Sequence, residues 1–392
     1  MALRVLFLSW RDHGHPEAGG AEAFLDRVSA SLGARGHQVT IFTAGYPGAA
    51  TNQVVAGRRF LRRGGRFSVY ARGALHLLRR GRDYDVVVDI QNGIPFWASA
   101  VTRTPVVNLV HHVHREQWPE VFGPVRARFG WWLESWLAPR VYRSSRYLVV
   151  SKATRDELAA LGVGSDRISV VYSGKEDIPD LSHQPRTAHP SLVVLGRLVP
   201  HKRVEVALRT VATLREQFPG LALDVVGHGY WQDALRDEAV RLGIADSVRF
   251  LGFVENDEKH QLLAGAWLNL LPSLKEGWGL AIVEAGAHGT PSLAFRSAGG
   301  TTESVIDGLT GRLVESDEEF VSAVAELLCD AQARSTMGEA ARMHAMSFNW
   351  EATTDAVEEL LTAVAGHGGV SLPVPRPAPD TTVTRRVDQA PL

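Results

Sequence analysis

The chain has 392 residues, 45% of them hydrophobic and 22% charged, and its net charge is −1. This length exceeds one typical domain and predicts two, each with a full core. The single cysteine, Cys329, excludes an intrachain disulfide, and its position in a helical pattern predicts a buried residue in a protein of a reducing compartment, the cytoplasm. No run of about 18 apolar residues occurs, so the sequence predicts no membrane-spanning segment.

The near-zero net charge hides an uneven distribution. Residues 1–186 hold 25 Lys and Arg against 16 Asp and Glu, whereas residues 187–392 hold 17 against 27. Much of the positive excess lies in Arg58–Arg82, which has nine arginines and no acid. This segment is either a solvated arginine face or a peripheral contact with anionic lipid or an anionic acceptor. Nucleic-acid binding is not favoured, because the other half is acidic and no nucleic-acid motif occurs.

Strands and helices alternate along the first half of the chain. The N-terminal apolar run lacks a small-residue cleavage site, so we interpret it as a first buried strand and not as a signal peptide. Buried parallel strands are predicted by short apolar runs, with one strong helix after the first of them. The strands are Arg4–Ser9, Gln38–Thr43, Val86–Ile90, Val106–Val110 and Leu148–Val150, and the helix is Ala21–Ala34.

A polar, proline-rich stretch at residues 179–190 predicts an interdomain linker, after which the alternation restarts. We therefore expect an α/β protein with two Rossmann-like, doubly wound domains, residues 1–178 and 191–348, facing each other across a cleft. From residue 366 to residue 392 periodicity is lost, which predicts a disordered tail. The second unit's strands are Leu192–Leu195, Leu221–Val226, Val248–Leu251 and Trp267–Leu271, and its helices are Val204–Gln217 and Tyr230–Arg241.

The stretch Ser273–Glu284 carries the most chemical information. An apolar run precedes it, and a helical run follows its Gly-x-Gly turn, so the backbone N–H groups from Gly277 to Leu280 lie at a helix N-terminus. Such an end has unsatisfied donors and a partial positive charge, which suit a phosphate. Glu276 and Glu284 would then contact the sugar and ribose of one nucleotide-sugar. The alternative is a solvated loop acid and an ordinary polar helix residue.

In each predicted unit, the loop that follows the first strand is a further candidate for ligand binding. Arg197 and Lys202, in the second unit, combine a planar fork with a mobile point charge, which suits a diphosphate. In the first unit, Gly19 and Gly20 allow a ligand to approach the backbone at the start of a helix. Their spacing is not G-x-G-x-x-G, which argues against a nicotinamide-dependent oxidoreductase.

His111 and His112 follow the strand Val106–Val110 and therefore face the predicted cleft. We reject a metal site there, because no cluster of acids or cysteines accompanies the histidines. Asp83-Tyr84-Asp85 has the D-x-D form of a metal-chelating motif, but it directly precedes a strand and is interpreted as a turn. Three tryptophans at helical spacing predict core packing, with an acceptor-facing or membrane-facing role as the alternative: Trp131, Trp132 and Trp136.

The paired glutamates Glu276 and Glu284 resemble the E-x7-E motif of retaining glycosyltransferases of family 4 (group 1), which have the GT-B fold. The upstream Gly196–Lys202 segment is similar to that family's donor-phosphate pair. Phe348-Asn349-Trp350 resembles the start of its C-terminal helix, which implies a crossover helix at about 349–365 that returns to the first domain. Gly299–Glu303 resembles a loop near the donor, whereas Val171–Asp177 matches the family's N-G-V-D turn only in part.

The resemblance implies roles for individual residues. His111 would contact the transferring sugar, Arg197 and Lys202 would stabilise the leaving diphosphate, and Glu276 would hold sugar hydroxyls. His112, Asn92 and Gly93 would line the acceptor pocket, and no metal is implied. The implied donor-binding set is Gly19, Gly20, Gly196, Arg197, Lys202, Val254, Glu276, Gly277, Trp278, Gly279, Leu280 and Glu284.

The expected activity is metal-independent, retaining transfer of a hexose from a UDP- or GDP-linked sugar to a lipid, a saccharide or a small metabolite. A sugar-nucleotide epimerase of the same fold, or a pseudo-glycosyltransferase that couples a non-sugar, remains an alternative. The sequence alone identifies neither the base, nor the sugar, nor the acceptor. A membrane-borne acceptor would fit the basic Arg58–Arg82 segment and a location at the inner membrane face.

Overall fold

A computed structural model of the protein describes residues 2–179 and 184–366. The predicted linker at 179–190 lies partly outside these residues, and the predicted tail lies outside them from residue 367 onward. The predicted alternation of strands and helices is confirmed within the described residues, which form two parallel-sheet α/β units.

The first unit contains eight strands. They are β1 Arg4–Leu8, β2 Gln38–Thr43, β3 Asn52–Val55, β4 Arg58–Arg62, β5 Val86–Gln91, β6 Val106–Val110, β7 Arg146–Val149 and β8 Ile168–Val170. They form one sheet in the order β3-β4-β2-β1-β5-β6-β7-β8, in which β3 runs antiparallel to β4 and the other pairs are parallel. The central strands are buried along nearly their whole length, because helices cover both faces of a parallel sheet.

The second unit is a parallel sheet of six strands within the described residues. They are β9 Ser191–Leu195, β10 Ala222–Val226, β11 Val248–Gly252, β12 Leu268–Leu271, β13 Ser292–Phe295 and β14 Gly311–Val314. Their order is β11-β10-β9-β12-β13-β14, so the chain reverses direction across the sheet beside β9. Ligands of doubly wound sheets bind at the carboxyl ends of the strands near such a reversal.

Helices connect the strands on both faces of each sheet. They are α1 Gly20–Ala34, α2 Ser68–Arg80, α3 Ala98–Val101, α4 Gln117–Val121, α5 Pro124–Trp132, α6 Ala138–Val141, α7 Lys152–Ala160, α8 Val204–Leu214, α9 Gln232–Arg241, α10 Asn256–Gly265, α11 Leu280–Ala287, α12 Thr301–Ser304, α13 Asp317–Cys329, α14 Ala331–Met346 and α15 Trp350–Ala365. A π-helical turn, Leu133–Leu137, joins α5 to α6.

The last helix, α15, returns to the first unit. Asn349 caps it by accepting a hydrogen bond from the backbone N–H of Ala352 at 2.7 Å, which satisfies one of the free donors at its start. Its apolar face, which includes Val357, Leu360 and Leu361, lies in the same core as α1 and the first sheet. The chain therefore crosses back from the second unit to the first at α15.

Two predictions about burial are wrong. Cys329 is exposed, because it follows the buried pair Leu327 and Leu328 at the end of α13 and falls outside the helix's apolar stripe. Trp132 and Trp136 are 43% and 44% exposed, although the helical spacing of the tryptophans predicts core packing. Trp131 alone of the three packs against the first unit's core.

The arginine-rich segment Arg58–Arg82 is not one amphipathic helix. It begins as strand β4 and continues through a loop into α2. Arg58 and Arg62 are buried in ion pairs with Asp26 and Asp12, at 2.7 and 2.6 Å. The hypothesis of a wholly solvated arginine face is therefore wrong for these two residues, and their charges are neutralised within the fold. No helix among the described residues is long and apolar enough to cross a membrane.

The packing of α15 on the first unit predicts that Leu360→Ala destabilises the protein by about 2–5 kcal/mol, because the substitution leaves a cavity around a fully buried position. The neighbouring Glu359 is exposed and provides the matched control, Glu359→Ala. Urea-induced unfolding, followed by tryptophan fluorescence, measures both variants. Equal losses in the two would contradict the packing of this helix.

Candidate functional site

The two sheets face each other across a cleft at the carboxyl ends of their strands. Loops from both units approach closely there: a Cβ on Gly19 would lie 3.0 Å from Nε of Arg197, and one on Gly20 would lie 3.1 Å from Leu280. The predicted glycine loop of the first unit therefore lies beside two of the predicted donor-binding segments of the second.

A buried ion pair holds the glycine loop. Glu22 lies in the first turn of α1, where one carboxylate oxygen accepts the N–H of Gly19 at 2.8 Å and the other accepts Nε of Arg11 at 2.9 Å. Glu22 and Arg11 are 2% and 5% exposed. The pair fixes the entry of the chain into α1 and brings a second guanidinium near Arg197, whose charge lowers the pKa of Arg11 after the larger effect of burial. Sequence reasoning missed both residues.

Lys202 and Glu276, two residues of the predicted donor site, form an ion pair. The Nζ atom of Lys202 donates to a carboxylate oxygen of Glu276 at 2.5 Å, and both side chains are largely buried. The short turn Pro200–Lys202 is tied to the glutamate loop, because the N–H of Leu274 donates to the carbonyl of His201 at 2.8 Å. Burial lowers the pKa of His201 to about 3, with help from Lys202 and Arg197, so its imidazole is neutral at pH 7.

The loop before α11 requires glycine at two positions. Gly279, which precedes the first helical residue Leu280, has φ of +86°, in the region that glycine adopts most easily. A Cβ on Gly277 would lie 2.3 Å from the carbonyl oxygen of His111 in the first unit. Glycine at 277 thus lets two backbones touch across the cleft, next to the open N-terminus of an apolar helix.

Glu284 lies at one end of an ion-pair chain that crosses between the units. Lys259 donates to Glu284 at 2.8 Å and to Glu176 at 2.7 Å, and Glu176 also pairs with Arg27 of α1 at 3.4 Å. Burial raises the pKa of Glu284, and the charge of Lys259 opposes that rise. Burial alone would lower the pKa of Lys259, but the two carboxylates raise it, so the amine stays charged. Sequence reasoning missed Lys259, whose separation from Glu284 carries no recognisable motif.

Glu303 also joins the two units. Its carboxylate accepts the N–H groups of Lys152 and Ala153 at 3.0 and 2.9 Å, and the hydroxyl of Tyr172 at 2.8 Å. A second-unit acid therefore caps the N-terminus of the first-unit helix α7. The sequence resemblance placed Glu303 in a loop near the donor, but this contact between units was not predicted.

His111 lies buried at the carboxyl end of β6, against the ring of Phe24 with 5.5 Å between centroids. Its Nε2 is buried and finds no hydrogen-bond partner among the described residues. Burial lowers its pKa to about 4, so the ring is neutral at pH 7 and its free nitrogen can serve a ligand. No group of three acids, histidines or cysteines that could hold a metal occurs within residues 2–179 and 184–366.

The predicted acceptor residues lie at the neighbouring strand ends. His112 bonds Gln117 at 3.1 Å and stacks on His114, with 4.2 Å between centroids. Asn92 follows β5, and its side-chain nitrogen is buried without a partner in the described chain. Gly93 packs against the ring of Trp118, which a Cβ at this position would approach to 2.9 Å. The side-chain nitrogen of Asn92 is therefore free to donate a hydrogen bond to a ligand.

The surroundings of three residues in the predicted donor-binding set limit the contacts that they can make with a ligand. The ring of Trp278 is 3% exposed and packs between Tyr172 and Phe348, at 4.8 and 4.9 Å, so only its backbone can face a ligand. The N–H of Gly196 is bonded to β10 and is not free. Val254 is half-buried, and the neighbouring Phe253, just after β11, is 76% exposed.

The buried position of His111 predicts an imidazole that stays neutral down to about pH 5. An unfolded histidine titrates near pH 6.5. Below that value the unfolded chain binds a proton that the folded chain does not, so this contribution to stability declines as pH falls from 6.5 toward 4. NMR titration of the ring carbons, assigned with His111→Gln, measures the pKa, and a midpoint above 6 would contradict the burial argument.

Models of known protein families match the sequences of both units. The family model "Glycosyl transferases group 1" matches residues 181–344, and the model "Glycosyltransferase Family 4" matches residues 18–175. The chain is similar to the glycogen synthase of Mycobacterium tuberculosis (strain CDC 1551 / Oshkosh), with 27% identity over 410 residues that cover 95% of this chain and 97% of the relative.

Solved structures share the fold. The sucrose-phosphate synthase from Thermosynechococcus elongatus superposes with a TM-score of 0.76 at 19% identity, over 93% of this chain and 99% of that one. HepE of Anabaena, in complex with UDP and glucose, superposes with a TM-score of 0.70 at 22% identity, over 92% and 100% of the two chains. The protein therefore belongs to the family 4 (group 1) glycosyltransferases, and its two facing sheets form the GT-B fold.

Proposed function

We propose that this glycosyltransferase moves a hexose from a nucleoside-diphosphate sugar to a hydroxyl acceptor, with retention of anomeric configuration and without a metal ion. The observation that carries the proposal is the approach of Arg197 and of the N-terminus of α11 to the glycine loop at Gly19 and Gly20. Lys202 is held by Glu276, which lies just before that helix. Two cations and a row of backbone donors in a narrow cleft suit a diphosphate whose charge grows as it leaves.

The donor would lie along the second unit. Glu284 would accept the ribose hydroxyls, with Lys259 holding its carboxylate in place at 2.8 Å. The exposed ring of Phe253 would lie beside the base, and Glu276 would bind the sugar hydroxyls. HepE of Anabaena has been solved with UDP, which supports a nucleoside-diphosphate sugar as the donor here.

Binding of the donor would open the Lys202–Glu276 pair. In the free protein the lysine and the glutamate neutralise each other at 2.5 Å. A diphosphate replaces the carboxylate as the partner of Lys202, and the sugar hydroxyls replace the amine as the partners of Glu276. Both groups are therefore already in position, which limits reorganisation when the donor arrives.

In the proposed reaction, the bond from the anomeric carbon to the diphosphate breaks and the acceptor oxygen attacks from the same face. The acceptor's proton passes to the leaving phosphate oxygen, so no protein base is required. Arg197 and Lys202 stabilise the phosphate charge, while the neutral His111 accepts or donates a hydrogen bond at the sugar from the first unit. Asn92, at the next strand end, would contact the acceptor, which is a saccharide, a lipid or a small metabolite.

A ligand panel tests the donor site. Thermal stabilisation by UDP, GDP, ADP and dTDP should single out one base, and Glu284→Ala should weaken that ligand's binding about 10- to 100-fold, because one charge-assisted hydrogen bond contributes about 1.5–3 kcal/mol. Lys259→Met should act in the same direction. Glu339→Ala, at an exposed position of α14, is the control. Absence of stabilisation by every nucleotide would remove the donor-site assignment.

Turnover tests the leaving-group role. Arg197→Met and Lys202→Met should each lower kcat about 100- to 1000-fold, because the stabilised charge develops in the transition state. Arg241→Met, on the solvent side of α9, should leave kcat unchanged. NMR of the product's anomeric proton should show the configuration of the donor. An inverted product would contradict retention, and free epimerised sugar without any acceptor would favour an epimerase instead.

A further inference from the structure

An unusual apolar face lies on the first unit. The helical stretch from α4 to α6 turns five large apolar residues to solvent, with exposures of 43% to 80%. The opposite face, which includes Ala127, Gly130 and Ala138, is buried against the unit. The exposed residues are Val121, Val125, Phe129, Trp132 and Trp136.

Three of these side chains form one continuous aromatic surface, which we call the aromatic ledge: Phe129, Trp132 and Trp136. Phe129 stacks on Trp132 at 5.9 Å with 22° between the rings, and Trp132 stacks on Trp136 at 5.3 Å with 18°. Arg140 lies 4.1 Å over the ring of Trp136. The ledge is thus preformed, and its outer side has no partner among the described residues.

Exposed arginines outnumber exposed acids along the stretch from α4 to α6, where Glu120 is the one exposed acid. Arg126, Arg128, Arg140 and Arg143 are exposed along this stretch. Between residues 121 and 143 the one acid is Glu134, which is 2% exposed and accepts hydrogen bonds from His114 and Trp118 inside the unit. The surface therefore combines stacked aromatic rings with uncompensated arginines.

We propose that the aromatic ledge docks the first unit on the surface of an anionic lipid bilayer. Tryptophan rings favour the headgroup region, where one side of the ring is apolar and the other is wet, and nearby arginines pair with lipid phosphates. A second copy of this chain is a poorer occupant, because a two-fold contact would place the same arginines against one another.

Docking at the ledge would also orient the cleft. Trp118 packs on Gly93, next to the proposed acceptor residue Asn92, and on Gly130 of α5 beneath the ledge. The ring of Trp118 is held by its bond to Glu134 at 2.7 Å. The strand end that would contact the acceptor is therefore linked, through one side chain, to the helix that would lie on the membrane. The proposed docking on the bilayer does not depend on whether the protein transfers a sugar.

The arginine-rich segment Arg58–Arg82 provides a control for the aromatic ledge. Helix α2 also exposes apolar residues, Leu75 and Leu78, near the exposed Arg79 and Arg80. These side chains form no stacked aromatic surface, and two arginines of the segment are buried in ion pairs. A variant of α2 therefore serves as a matched control with the same chemistry at another place.

The experiment is sedimentation of the full chain with vesicles of phosphatidylcholine alone and of phosphatidylcholine with phosphatidylglycerol. The protein should bind the anionic vesicles, with binding that weakens as salt rises. Phe129→Ser, Trp132→Ser and Trp136→Ser together should lower the vesicle affinity at least about tenfold. Arg126→Gln with Arg128→Gln should lower it and flatten its salt dependence. The control variant, Leu75→Ser, Leu78→Ser, Arg79→Gln and Arg80→Gln, should bind like the wild type.

Circular dichroism and UDP or GDP binding verify that each variant is folded. Failure of the wild type to bind anionic vesicles, or unchanged binding by the ledge variant, would overturn the proposal. Loss of binding only in the α2 variant would move the contact to that helix and equally overturn it. Light scattering decides the remaining case: a dimer that the ledge variant dissociates would show that a second copy covers the ledge.

Discussion

The close approach of two strand-end surfaces is the constraint on which the rest of the structure depends. At Gly277 the second unit brings its backbone against the carbonyl of His111 in the first, and at Gly19 the first unit admits the guanidinium of Arg197. Side chains at these glycines would hold the units apart. Because they are absent, the N-termini of α1 and α11 come together in one narrow cleft.

The cleft concentrates positive charge, and the protein stabilises it with acids drawn from both units. Arg11 is held by Glu22, Lys202 by Glu276, and Lys259 by Glu284 together with Glu176. Buried cations without partners would destabilise the fold. The same acids hold the cations in fixed orientations within the cleft. Glu303 contributes differently, since it ties the second unit to the N-terminus of α7.

The two units differ in charge, and the structure shows where the excess arginines of the first unit lie. The basic excess of the first unit is partly internal, as the buried Arg58 and Arg62 show, and partly displayed around the aromatic ledge. Net charge along the sequence does not separate these two uses, because an arginine paired with an aspartate and an arginine in solvent count alike. Only the fold shows which charges remain available to an external partner.

The sequence by itself determined the order of strands and helices and most of the catalytic candidates. Strands such as Gln38–Thr43 and Val106–Val110 have the predicted bounds, because a short apolar run in a parallel sheet is buried on both faces. Glu276, Glu284, Arg197 and Lys202 stand at loop and helix-start positions that are visible in the chain.

Only the tertiary structure decided which side of a helix faces inward and which distant residues meet. The tryptophans at 131, 132 and 136 share one helical pattern, yet Trp131 packs inward and the other two are exposed, because the neighbouring elements cover one face of that helix. Lys259 and Glu303 reach their partners across the cleft, at separations in the chain that no local pattern encodes. Contacts of this kind arise from the placement of two units, and placement is a property of the packed fold.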